Sequence, residues 1–319
     1  MPFPVDATPW PGGAGTPASP AYAGVFIPEI WSGKVIEKFY DATVLAAISN
    51  TDYEGEIRNQ GDTVKIRTKP TITINTYTAD TDLTFERPSS NIVELAVDQG
   101  RYFATILDDV MEVQSDLGQL SMWADDSSEQ MKINVDTFVL ANILADVHAD
   151  NQGLTSGRIS GNINLGVAAT PLLVVARNPG AGEVEVIDVL TRLGQTLDEQ
   201  NIPESGRWVI LPSWFCAMIK RSELRDASLT GDGQTMLRNG RLGMIDRFTV
   251  YMSNLLPLAT GEYTIFAGHS HGLTFASQLS RVETIRAEST FGTILRGLQV
   301  FGHKVVDGTA LAAVVASPA

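Results

Sequence analysis

Cysteine is almost absent from this chain. Cys216 stands alone among 319 residues, so no intrachain disulfide framework can form, and a reducing, cytosolic origin is expected. Long apolar runs are missing too. No stretch approaches the roughly 18 residues that a membrane-spanning helix requires. The opening MPFPVDATPWPGGAGTPASP has neither the basic start nor the apolar centre of a secretory signal, so none is expected. Positive charge is scarce: 23 Lys and Arg against 37 Asp and Glu leave a formal net charge of -14. That balance argues against tight nucleic-acid binding, which needs clustered cations to neutralise phosphates. Histidine is limited to four residues. Neither a phosphate-binding loop nor a dinucleotide fingerprint occurs, and no internal repeat is visible. The 44% hydrophobic content still suffices for one large core or two smaller ones.

What the chain does have is an unusually long Thr-rich, β-branched stretch, GDTVKIRTKPTITINTYTADTDLTFERPSSNIVELAVDQGRYFAT, from Gly61 to Thr105. Val64, Ile66 and Thr68 alternate, as do Ile72, Ile74 and Thr76, and Val93, Leu95 and Val97 repeat the period on a return arm. The pattern predicts one long hairpin with too little sequence to bury it. Pro70 and Pro88 confine both arms to edge or irregular strands. A lone two-stranded ribbon is marginal in water, so a partner is expected, and another copy of the chain is the natural one.

Six prolines fall in the first twenty residues, with Gly12, Gly13 and Gly15 between them. Such a segment cannot pack a core of its own, but Phe3, Trp10 and Tyr22 suit an arm that lies on a neighbour. Ile30, Trp31, Val35, Ile36, Phe39, Tyr40, Val44 and Leu45 recur near helical spacing, predicting an amphipathic helix after Pro28. Beyond the ribbon the period turns helical. Asp108 and Asp109 suit a helix start, where negative charge meets the positive dipole end. Leu120, Met131, Val135, Phe138, Ile143 and Leu144 then form a stripe. One long helix, or two end to end, is expected. A helix of about 40 residues would span about 60 Å and act as a strut, implying an extended subunit. Asp125, Asp126 and Glu129 read as its solvated face and not as metal ligands.

Asn151 to Thr170 is polar and Gly-rich and reads as a loop or domain seam. An α/β pattern follows. Glu183 to Gln200 predicts a helix with Val186, Val189, Leu190, Leu193 and Leu197 inward. Arg207 to Leu211 is a short apolar strand, and Pro212 opens a helix through Trp214, Met218 and Ile219. A turn is expected at Gly231 to Gly233, and Gly243 and Asn254 sit where turns want permissive backbone.

The order of arm, helix, GDTVKIR-led ribbon and long acidic helix, followed by RWVILPSWFCAMI, LRNGRLGMIDRFTVYMSNLLP, YTIFAGHSHGLTFASQLSRVE and RGLQVFGHKVV, resembles a tailed-bacteriophage major capsid protein over roughly residues 25 to 315. The resemblance implies an α+β chain with the Hong Kong 97-type capsid fold. Residues 1–50 would be the N-terminal arm and helix, and 51–107 the extended β-hairpin loop. Residues 108–165 and 277–306 would form a peripheral domain with a long spine helix, and 166–276 and 307–319 the axial domain. Contacts between copies are expected at Trp10, Trp31, Ile72, Ile74, Tyr77, Leu83 and Phe85. The partners implied are the chain itself in hexamers and pentamers, with scaffolding, portal and decoration proteins. Packaged DNA would be a partner only by enclosure, and no membrane is involved. The location implied is the virion capsid, assembled in the host cytoplasm. No catalytic, cofactor or metal residue is expected. One departure is that no long helical segment precedes the arm, which points to a mature form or a separate scaffold. Some relatives join Lys and Asn side chains covalently. Lys65, Lys69, Asn239 and Asn254 are present, but no motif selects a pair.

Two rival readings remain. A bacterial nanocompartment shell would share the fold. A serine hydrolase would use Ser270, since Gly268-His269-Ser270-His271-Gly272 matches the G-x-S-x-G elbow, with Glu283 or Glu288 and His303 in the required order. That elbow needs a helix directly after it, whereas LTFASQLSRVETIRA alternates like a strand. His269 and His271 have only His148 and His303 to complete a metal site, so a turn-flanking polar pair is expected. Cys216 reads as a buried small residue.

Overall fold

The computed structural model describes residues 40–41, 43–52, 63–70, 72–80, 82–90, 92–114, 119–222, 243–288 and 290–319. The Pro-rich arm, residues 29–39 of the helix expected after Pro28, the residues Trp10, Trp31 and Asn239, and the turn at Gly231 to Gly233 lie outside them; where that helix's expected stripe is described, Tyr40 and Val44 belong to no helix. The described residues belong to one compact unit, Phe39–Ala319.

A single helical turn, α1 (Leu45–Ile48), opens it. The ribbon follows as β1 (Thr63–Arg67) and β2 (Ile92–Ala96), paired antiparallel from Thr63↔Ala96 to Arg67↔Ile92. Lys65 and Glu94 face each other in that ladder and form an ion pair at 3.2 Å. The expected hairpin therefore exists, with two corrections. Its ladder is short: residues 72–78 and 82–90 carry no strand pairing and turn at Ala79 and Asp80, where Asp80 takes φ 64. Its base also has a core of its own. Ile66, Leu95 and Val97 pack with Ala276, supported by Val300 and Val306, and Gly302 admits the Ala96 carbonyl where any side chain would collide.

The alternation of the return arm continues into β3 (Gln99–Asp108), but β3 is not part of the ribbon. It pairs with β12 (Gly292–Val305), which pairs with β11 (Leu273–Arg286), in a three-stranded antiparallel sheet. An unbroken period of two identifies strands without revealing their partners, so Thr105 can lie in a different sheet from Ile66 although both fall in one alternating stretch.

Two helices follow β3: α2 (Asp109–Gln114) and α3 (Gln119–Ile143). Asp108 Oδ1 accepts the Val110 N–H at 2.8 Å, so the acid expected at a helix start does cap one. The 25 residues of α3 rise about 37 Å, shorter than the single strut the sequence allowed. Its second half is buried through Val135, Asp136, Val139, Leu140 and Ile143. No residue described from Leu120 to Asn134 is buried.

The remaining chain builds an eight-stranded mixed sheet from β4 (Leu172–Val175), β5 (Glu183–Glu185), β6 (Arg207–Leu211), β7 (Met244–Ile245), β8 (Phe248–Met252), β9 (Leu258–Ala259), β10 (Glu262–His269) and β13 (Leu311–Pro318). Its order is β5-β4-β13-β10-β6-β8-β7, with β9 beside β10. Central β6 is buried at every position, which explains why RWVIL reads as a continuous apolar run. Helix α4 (Val186–Glu199) packs its expected stripe against β13 and against α5 (Ser213–Arg221). Pro212 stands at the N-cap of α5. Gly243 has φ 58, as a turn glycine should, but Asn254 is not left-handed; the tight turn is at Asp246 and Arg247, with φ 46 and 66. Asn254 instead accepts the Ser213 N–H at 3.3 Å. The polar segment 151–170 is irregular, as a loop should be, but it is packed. Asn151 is fully buried and donates to the carbonyls of Thr309 at 2.8 Å and Leu311 at 2.7 Å.

Candidate functional site

The residues that could carry chemistry are not brought together. Ser270 lies in the turn between β10 and β11, closed by Gly272 N–H to His269 C=O at 2.9 Å, so no helix N-terminus stands behind it. His303 pairs with Phe275 across the sheet, whereas Glu283 pairs with Arg296. Eight residues of strand separate Glu283 from Phe275, about 27 Å, too far for a triad. Glu283 is held by arginines on both sides, Arg296 Nε at 2.6 Å and Arg281 Nη2 at 2.8 Å. The Arg296 hydrogen bond keeps its carboxyl below the usual range. His269 Nδ1 accepts the His271 N–H at 3.1 Å, an intraturn bond. Burial pushes the Cys216 thiol up to about 11, far from a reactive thiolate. Among the described residues no three His, Cys, Asp or Glu cluster as metal ligands, and no helix is long and apolar enough to cross a membrane.

Apolar surface is the prominent feature instead. Ile72, Tyr77 and Leu83 are exposed on the distal loop, and Ile74 and Phe85 are 90% and 91% exposed. These are the five described residues among those expected at contacts. The loop is not shapeless: Glu86 Oε1 reaches across to accept the Thr73 N–H at 2.7 Å. Among the described residues, none forms a covering layer over either arm.

A second apolar surface escaped the sequence reading. The three-stranded sheet has one face toward α3, through Phe103, Thr105 and Leu107 of β3, and one face open. Alternation along β3 places Tyr102, Ala104 and Ile106 outward. The register adds Leu298 and Arg281 beside Tyr102, Arg296 and Glu283 beside Ala104, and Ile294 and Ile285 beside Ile106. Tyr102 and Leu298 flank a shallow groove of about 480 Å³ crossed by the Arg281–Glu283–Arg296 ion pairs. Where β11 turns into β12, Phe291 is 83% exposed, and Val110 and Val113 of α2 are exposed as well. Arg286 fixes that end with two hydrogen bonds to Asp109, at 2.7 and 2.8 Å. The period-two alternation of RYFATIL carries the signal, but it runs on from the return arm of the ribbon without a break.

The described start of the chain is tied to α3. Tyr40 donates to Asp126 at 2.9 Å, and Asp136 accepts the Val44 and Leu45 N–H groups. Asn50 bridges to Thr274 at the start of β11.

The family model described as phage capsid protein matches residues 92–314. No curated protein matches. Among solved structures, one of Mycobacterium phage Che8 aligns with a TM-score of 0.73 at 23% identity, covering 92% of this chain and 98% of that one. The capsid of cyanophage P-SCSP1u gives 0.68 at 14% identity over 92% and 94%. The mature capsid of bacteriophage PhiM1 gives 0.67 at 15% identity over 98% of each. At such identities the likeness is one of fold.

Proposed function

The chain belongs to the phage capsid protein family, whose model spans residues 92–314, and from that premise we propose how its surfaces build a phage head. It is a major capsid protein: many copies self-assemble into the shell of the virion. The role is structural, and no chemical step is assigned to any residue. Membership in a phage family favours the viral shell over a nanocompartment, and the hairpin turn at Ser270 argues against the hydrolase.

The uncovered distal loop carries this reading. Ile72, Ile74, Tyr77, Leu83 and Phe85 are contact residues between neighbouring copies, joined by Trp10 and Trp31 of the arm. Each buried apolar side chain of this size contributes about 1.5–3 kcal/mol before the costs of association are subtracted. Modest contacts become a durable container because closed symmetry repeats them. Residues 1–50 act as arm, 51–107 as extended loop, 108–165 with 277–306 as peripheral domain, and 166–276 with 307–319 as axial domain. Copies group into hexamers and pentamers, assembled in the host cytoplasm with a scaffolding protein and a portal, and decoration proteins cover the finished shell. DNA is held by enclosure, since a net charge of -14 keeps packaged phosphates from adhering.

Negative-stain microscopy of the chain expressed with its scaffold tests this. Closed shells of uniform size are expected. A monomer that persists at high concentration with scaffold present contradicts it.

A further inference from the structure

Phe138 is where α3 meets the three-stranded sheet. Its ring receives an edge from Phe301, with centroids 6.1 Å apart, and another from His303, at 5.7 Å with the planes at 88°. The Arg101 guanidinium lies over the same ring, 4.7 Å from its centroid, steadied by Asn134 of α3 through a 3.0 Å hydrogen bond. Phe275 stacks on Phe301 at 5.7 Å and pairs with His303 across β11 and β12. One imidazole is thus part of a cluster of three phenyl rings that joins helix to sheet.

A neutral imidazole behaves there as a fourth aromatic ring. An imidazolium needs hydration or an anion, and the cluster supplies neither directly. The charged groups that reach His303 are Asp146, on the turn after α3, Asp98, between β2 and β3, and its neighbour Lys304. Asp146 is engaged by Lys304 at 3.0 Å, and Arg101 occupies another side of Phe138. Burial outweighs the two acids and holds His303 below its ordinary value of 6.5. The other histidines are placed differently. His148 accepts the Asp150 N–H at an exposed turn, and His269 and His271 lie at the β10–β11 turn.

We infer that His303 is a proton-sensitive joint: neutral, it locks the second half of α3 onto β12, and protonated, it loosens that contact. A histidine whose folded pKa is depressed gives stability that is complete above the unfolded value and declines as pH falls below it. One proton changes the opening equilibrium by at most about tenfold per pH unit.

Hydrogen exchange of Val135–Ile143 in the full-length chain, corrected for intrinsic rates, tests the joint at pH 7.5, 6.5 and 5.5. The wild type is expected to open up to about fivefold more readily at pH 5.5 than at 6.5. His303→Phe keeps an aromatic edge and is expected to show no such rise. His303→Gln, which keeps polarity but cannot titrate, covers the case in which the phenyl ring packs poorly. An unchanged wild type overturns the inference, and so does an equal rise in both variants.

Discussion

Asp136 Oδ2 accepts the backbone N–H of Val44 at 2.6 Å, across 92 residues of sequence, and that of Leu45 at 3.1 Å. A buried carboxylate on α3 thereby does for α1 what an N-cap side chain usually does from within its own helix. It fastens the start of the described chain to the core.

Removing this acceptor should therefore detach the segment. Asp136→Ala leaves two buried donors unpaired and is expected to cost about 1–3 kcal/mol. Burial pushes the Asp136 carboxyl up, only partly offset by the two N–H groups. The fold therefore binds this proton more tightly than the unfolded chain does, and the group costs stability as pH rises through the acid range. Asp136→Asn retains an acceptor without a charge and should lose less than about 1 kcal/mol. Urea denaturation of both variants at neutral pH checks the order.

Glu199 predicts the opposite acid response. Burial raises its pKa, but the N–H groups of Ser160 and Ile159 outweigh that and hold the carboxyl at about 2. The stabilisation is complete above the ordinary 4.5 and disappears as pH falls toward 2. Glu199→Gln should flatten the unfolding profile in that window and expose the 157–163 loop to proteolysis. Identical acid profiles for the two proteins would refute the assignment.

Gly297 of β12 lies under the Phe103 ring, which occupies the space a Cβ would fill. Gly297→Ala is expected to cost about 1–3 kcal/mol by overpacking. Phe103→Leu in the same chain should recover part of that loss, giving a coupling measurable in a double-mutant cycle.

These relationships show which parts of the fold were legible in the sequence. The stripe of α4, the run RWVIL and the base of the ribbon were readable because periodicity reports local burial directly. The partner of β3 was not, since alternation is the same whichever strand lies alongside. The Asp136 clasp was invisible for a related reason: an acid in an acidic helix looks solvated until a segment 92 residues away is laid against it. Of the contact residues expected, the five on the distal loop are all exposed, because none of the described residues covers them. Tyr102 and Leu298, on the open face of the three-stranded sheet, are exposed as well, and alternation alone does not tell that face from the ribbon.

The central claim is that the distal loop is covered by a neighbouring copy in the shell. Chymotrypsin tests it through Tyr77 and Phe85, which are 74% and 91% exposed in the single chain. Free subunits should be nicked rapidly at both, while assembled shells resist by at least about tenfold, the ratio a burial free energy of 1.4 kcal/mol produces. Shells cut at Tyr77 and Phe85 as fast as free subunits would contradict the account.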